Sequence, residues 1–276
     1  VHFCVVGTGR CGTTLLWDML NLHPELFVFR ESHWIPKMYE FFGTGTGDAT
    51  DLVDIVLRTT HVTGELVYAG DLQVLQSLFP EGEKIGVAAF CDRIGSLFAR
   101  NSGKKYWADK TPDYGPHMGS LQSLWPSCRF IHLIRDGVRV VHSMSHHPGF
   151  RWMATAREAW WVAPSFNGYH RSIEATERPL CEFVALWYRR FRRIRDEAKR
   201  LQPGTYLEVR FEDLAENPED SLLKVCRFVG LKASDNWLSA AKAKIDWRRV
   251  DRRPPEDFIK YFEDAERRLL EELGYL

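Results

Sequence analysis

Residues Val1–Leu16, VHFCVVGTGRCGTTLL, run from an apolar strand through Gly7, Gly9 and Gly12 into Thr13-Thr14, the opening of a helix. Backbone N–H groups close around an anion only where no Cβ intervenes, and a helix N-terminus adds its partial positive charge. The spacing Gly7-x4-Gly12-x-Thr14 approaches that of a phosphate loop, G-x-x-x-x-G-K-[ST]. Thr13 stands where the lysine would be, and the positive charge lies earlier, as Arg10. Such a loop holds a terminal diphosphate-like group with Arg10 facing the bridging oxygen. The plain alternative is a tight strand-to-helix turn that binds nothing, but the spacing together with Arg and Thr-Thr favours a ligand.

The length of 276 residues suits a single α/β domain, 1–276, with a sizeable core. Thirty-seven basic and thirty-seven acidic side chains cancel, so an anion site must be local and nonspecific nucleic-acid binding is excluded. The six cysteines are dispersed, with no C-x-x-C pair and no His-Cys cluster at metal-ligand spacing, and read as reduced, mostly buried thiols with no metal. No apolar run approaches the roughly 20 residues that cross a bilayer, and no signal peptide is visible. These features predict a cytoplasmic protein without a membrane span. The chain opens without Met and inside a strand, which leaves open the catalytic domain of a Golgi-anchored protein or a module excised from a larger enzyme.

Apolar runs predict parallel strands at Val1–Val6, Phe27–Phe29, Tyr106–Ala108, Phe130–Ile134 and Thr205–Val209. Three- and four-residue apolar spacing predicts helices at Thr14–Leu22, Leu52–Thr59, Leu72–Leu78, Arg93–Asn101, Gly115–Leu124, Val138–His146, Glu182–Leu201, Glu219–Val229 and Glu256–Leu273. The alternation implies a doubly wound central parallel sheet flanked by helices, with ligands beyond the carboxyl ends of the strands. Thr44–Asp48 and His147–Gly149 read as flexible loops. Residues 144–178, rich in Trp, Arg and His, read as a lid or substrate wall, or equally as a packed helical insertion.

After the fourth strand comes Arg135-Asp136-Gly137-Val138-Arg139-Val140-Val141-His142-Ser143. An arginine fork and a hydroxyl from these positions suit a second phosphate monoester, separate from the group in the glycine loop. Taken alone, Arg-Asp after a strand is often a helix-capping pair. Together the two segments resemble the sulfotransferases that use 3′-phosphoadenosine 5′-phosphosulfate (PAPS). That family pairs R/K-x-G-T-T, which grips the 5′-phosphosulfate, with R-[ND]-x-x-D/R-x-x-x-S, which grips the 3′-phosphate. Arg10, Gly12, Thr13 and Thr14 match the first, with Cys11 and Leu15 inside the same loop and helix start; Arg135 and Ser143 match the second. Arg210-Phe211-Glu212-Asp213-Leu214 is similar to the family's R-Y-E-D-L, with Phe211 for tyrosine, and Asp246-Trp247-Arg248 to its late D-W-K/R. The late basic stretch, Lys242, Lys244, Arg248, Arg249, Arg252 and Arg253, lacks the family's R-K-G signature.

The resemblance implies a P-loop-like three-layer fold, PAPS as co-substrate, PAP as product, no metal, and Arg10 as the cation on the bridging oxygen. In the cytosolic members the base is the histidine of K-T-H; here the stretch is Lys110-Thr111-Pro112, and proline accepts no proton. Glu31, in HPELFVFRESHWIP, is similar to the glutamate base of tyrosylprotein, carbohydrate and several bacterial sulfotransferases, and partial burial is expected to raise its pKa. Its other reading is a salt bridge to Arg30 or a nearby arginine. His33, two residues on, shares its face in an extended stretch and serves as reserve base or orienting partner. His117 and Asp113 are weaker candidates. Lys110 resembles a lysine that contacts the transferring sulfonate, with a solvent-exposed lysine as the alternative.

The expected reaction moves a sulfonate to a hydroxyl, less readily an amine, of a small molecule, glycan, peptide or carrier-bound acyl chain. A P-loop nucleotide kinase is the rival within enzymes, opposed by Thr13, and a noncatalytic nucleotide-binding module is the rival outside them. In the basic run Trp187–Arg195, the spacing of Phe183, Trp187, Phe191, Ile194, Ala198 and Leu201 marks a core stripe, which places the arginines on solvated faces.

Overall fold

The computed structural model describes residues 3–60, 68, 70, 72–156, 178–250 and 253–276. Its central sheet has the order β2-β5-β1-β6-β7, with β1 Phe3–Val6, β2 Leu26–Phe29, β5 Tyr106–Lys110, β6 Arg129–Ile134 and β7 Tyr206–Arg210, all parallel. All five strands coincide with the runs read from the sequence. The architecture is α/β with a parallel central sheet flanked by helices. Because side chains alternate along a strand, Cys4 and Val6 enter one apolar layer while Phe3 and Val5 enter the other, and β1 is buried on both faces.

From β1 the chain crosses to β2 at one edge and returns to β5; from β6 it proceeds to β7 at the other edge. β1 and β6 are neighbours whose outgoing connections diverge, and a crevice opens at their carboxyl ends. Into it run the loop Gly7–Gly12, which starts the helix Thr13–Leu20, and Arg135-Asp136, which start the helix Gly137–Ser145.

Several sequence boundaries need correction. Thr44–Asp48 is no simple flexible loop: Thr46–Asp48 forms β3, antiparallel to β4, Lys84–Gly86. Gly47 is there for close approach, since a Cβ would lie 2.8 Å from the Phe42 ring. His147–Gly149 is likewise no loop, because Pro148 opens the helix Pro148–Ala156, as proline suits a first helical turn. The helix expected from Arg93 begins at Val87, Gly115–Leu124 resolves into a 3-10 turn Pro112–His117 and a helix Met118–Leu124, and Glu256–Leu273 breaks into a 3-10 turn Glu256–Tyr261 and a helix Asp264–Glu272. Of the region 144–178, residues 157–177 lie outside the described residues. All six cysteines are free; five are buried and Cys181 is exposed. No helix among the described residues is long and apolar enough to cross a membrane.

Candidate active site

A cavity of about 690 Å³ occupies the crevice. Its floor is the glycine loop, where Gly9, Arg10 and Gly12 all have left-handed φ, at 81°, 56° and 97°. Two aromatic rings enforce this path: a Cβ on Gly9 would sit 2.3 Å from Phe150, and one on Gly12 would sit 2.2 Å from Phe211. No side chain caps the helix that follows, so its first N–H groups at Thr13 and Thr14 are offered to the cavity that these residues line. Leu15 lines it too. Cys11, expected to bind the nucleotide, does not line it; its side chain packs under Gly7, and burial pushes its thiol pKa up.

The second anion segment forms the adjoining wall. The Arg135 guanidinium lies 4.3 Å from the centre of the Phe211 ring, and its Nε is buried with no hydrogen-bond partner among the described residues. Burial pulls the Arg135 pKa down, a pull opposed by Glu212. Asp136 does cap its helix, accepting from Val138 N–H at 2.9 Å, so the capping reading holds for the aspartate and not for the arginine. The sequence reading kept Arg10 and Ser143 in separate pockets; they share one cavity, and Arg10 Nε donates to Ser143 Oγ at 3.1 Å. Of the late basic residues, Lys244 and Arg248 line the rim, where Arg248 Nε donates to Asp246 Oδ1 at 3.0 Å. Arg139 also lines the cavity, donating to the Val250 carbonyl at 2.9 Å; it is the +4 arginine of the same motif and was not singled out.

Glu31 and His33 face the cavity from the end of β2. The extended backbone expected here is absent: Glu31 and His33 have φ of 91° and 57°, strain of a kind that collects at functional sites. The turn brings His33 Nε2 to 3.7 Å from Glu31 Oε2, while Lys110, the last residue of β5 and 0% exposed, donates to Glu31 Oε1. Burial alone would raise the Glu31 pKa, but the hydrogen bond with His33 and the charge of Lys110 reverse it and hold the carboxyl at about 2. The expected upward shift is therefore wrong, and the counter-ion is a lysine, not an arginine; Arg30 instead lies over the Trp17 ring at 5.4 Å. Lys110 is neither solvent-exposed nor on the cavity wall, and it meets the cavity through Glu31.

Beneath this cluster Asp109 is fully buried and accepts from Thr111 Oγ1, and burial pushes its carboxyl up to about 6. Asp113 lines the cavity but is paired with Arg190, and His117 is off the wall, with burial holding its pKa down at about 4. The basic helix, Leu180–Ala198, keeps its stripe, with Phe183, Trp187, Phe191 and Ile194 buried. Its arginines are not all solvated, however: Arg195 is paired with Glu208 and Glu272, and Arg190 points inward beneath the glycine loop. Among the described residues no group of three or more His, Cys, Asp or Glu side chains could hold a metal ion.

Residues 3–235 match a family described as the sulfotransferase family. The chain belongs to that family. Protein-tyrosine sulfotransferase 2 of Gallus gallus is 22% identical over 233 residues, which cover 84% of the present sulfotransferase and 52% of the chicken protein. Carbohydrate sulfotransferase 15 of Homo sapiens is 27% identical over 157 residues, covering 51% of this chain and 26% of the human one. The sulfotransferase thus spans about half and a quarter of the lengths of these two relatives. In fold it is similar to the sulfotransferase domain from the curacin biosynthetic pathway, with a TM-score of 0.60 at 16% identity over 99% of this chain and 97% of that one.

Proposed function

We propose that this enzyme transfers a sulfonate from PAPS to an acceptor hydroxyl, less readily an amine, in line and without a metal, as one domain over residues 1–276. The observation that carries this reading is that the glycine loop, the Arg135–Ser143 segment and Glu31 all line one cavity. The residues fit a doubly phosphorylated nucleotide: the cradle tolerates no Cβ at Gly9 or Gly12, and Arg135 Nε is buried without a partner among the described residues. Arg10, Thr13, Thr14 and the loop amides would hold the 5′ end, Arg135 and Ser143 the 3′-phosphate, and Leu15, Phe211 and Arg248 border the remaining space. When bound, PAPS supplies an activated sulfonate.

Arg10 and the loop N–H groups neutralise charge on the leaving phosphate, and a sulfonate, less charged than a phosphoryl group, makes fixed donors sufficient. Glu31 takes the acceptor proton. A carboxylate held at about 2 is a weak base, but it is ionised at every working pH. In a loose transfer transition state the acceptor bond is barely formed, so its proton becomes acidic late and a weak base serves. His33 and Lys110 together keep Glu31 ionised and in place, one on each carboxylate oxygen. Six free thiols suit a reducing cytoplasm.

A panel of small-molecule, glycan, peptide and carrier-bound acyl acceptors incubated with sulfur-labelled PAPS and read by mass tests this. A labelled acceptor whose yield collapses in E31Q supports it. Magnesium-dependent ATP turnover would favour the kinase, and PAPS binding with no transfer across the panel would favour a noncatalytic module.

A further inference from the structure

Arg190 lies in the middle of the helix Leu180–Ala198, in a run that reads as surface charge, yet its side chain is only 15% exposed. Its Nε donates to the Thr8 carbonyl, inside the glycine loop, at 2.7 Å. Its Nη2 forms an ion pair with Asp113, three residues beyond Lys110, and its guanidinium carbon lies 5.9 Å from the centre of the Phe150 ring. Phe150 is the ring that Gly9 must clear. A second tie runs parallel, with Gly7 N–H donating to the Pro112 carbonyl at 3.3 Å.

From these contacts we infer that Arg190 is a positioning residue, a clamp beneath the glycine loop that fixes the anion cradle relative to the segment carrying Lys110 and so to Glu31. The inference rests on the donor reading above. Thr8 is the hinge of the cradle: with its carbonyl held outward by a cation, the peptides that follow are committed to the left-handed turns at Gly9 and Arg10 before any anion arrives. Asp113 neutralises the guanidinium, so the clamp adds no net charge to the cavity and does not compete with Arg10 for the ligand. A cradle without the clamp must be ordered by its ligand, and the loss falls on whatever the loop grips rather than on the whole nucleotide.

The test compares two probes by calorimetry: PAP, which has both phosphates, and adenosine 3′-monophosphate, which lacks the one the loop grips. R190Q is expected to weaken PAP about tenfold and leave adenosine 3′-monophosphate unchanged, whereas R135A weakens both. D113N, which leaves the Thr8 bond in place, is expected to weaken PAP by about threefold and serves should R190Q fold poorly. R190Q or D113N binding PAP as tightly as the parent overturns the clamp alone. Equal losses for both probes in R190Q mark a merely structural residue and also overturn it. A parent chain that binds neither probe overturns the donor reading and the clamp with it.

Discussion

At the ends of β1 and β6, Arg10 and Arg135 face the cavity with no carboxylate bonded to them among the described residues; Arg10 rests on a neutral hydroxyl and Arg135 on a phenyl ring. At the ends of β2 and β5 the charges have met their opposites: Glu31 is held between Lys110 and His33, and Asp113 is held by Arg190. The first wall leaves its cations unsatisfied, so an arriving anion gains hydrogen bonds that no protein group supplies. The second wall satisfies itself, so its worth lies in fixed geometry. On the proposed function, binding and chemistry are separated in space, and substitutions on the two walls should be separable in kinetics.

The sharpest way to break that contrast is E31Q. It is expected to lower kcat by about 10³-fold while leaving PAP affinity almost unchanged; a comparable loss of PAP affinity would mean that the walls do not divide the labour. R135A should do the reverse, raising the PAP dissociation constant by about 10–100-fold through loss of charge-assisted hydrogen bonds, as calorimetry would read. K110M removes a fully buried cation and leaves Glu31, which keeps some access to water, with His33 alone, so a loss of about 2 kcal/mol in urea unfolding is expected. In the same variant the Glu31 carboxyl should move up from about 2, bringing an acid limb into the activity profile.

The smallest effects lie in the pH dependence of stability, and their signs differ. Glu31 has a folded pKa of about 2, below its ordinary 4.5, so its contribution is full above 4.5 and lost as pH falls toward 2; E31Q should flatten that slope. Asp109 titrates at about 6 in the fold against an ordinary 3.8, so folding takes up a proton between those values and stability falls as pH rises through them. D109N should remove that decline. Urea midpoints from pH 2 to 7 check both, and parallel curves for parent and variants would refute the pairings.

The wall at the ends of β1 and β6 was legible in the sequence because each of its parts is contiguous. Gly7–Thr14 and Arg135–Ser143 are single strand-turn-helix segments whose spacing carries the chemistry, and all five strands of the sheet announced themselves as apolar runs. The wall at the ends of β2 and β5 was half legible. Glu31, His33 and Lys110 could be named as strand-end residues, but the direction of the Glu31 shift depends on a lysine 79 positions away and on two left-handed residues that no propensity demands. Arg190 was misread for a related reason. Helical periodicity tells which side of a helix is apolar, but not that a flanking arginine finds a carbonyl 182 positions away. The short β3–β4 pair escaped because Gly47 was taken as freedom when it serves tight packing against Phe42.

Parallel strands deliver their contributions to one rim: β1 the glycine loop, β2 Glu31, β5 Lys110, β6 Arg135 and β7 Phe211. Each contribution arrives at its own strand end, and the connection from β5 to β6 passes β1 to join the two sides. On the proposed function, the β2 end carries the group that meets the molecule to be modified, while the ends of β1 and β6 carry the grip on the nucleotide. One sheet order would thus bring the co-substrate grip and the base to a single rim from opposite edges of β1.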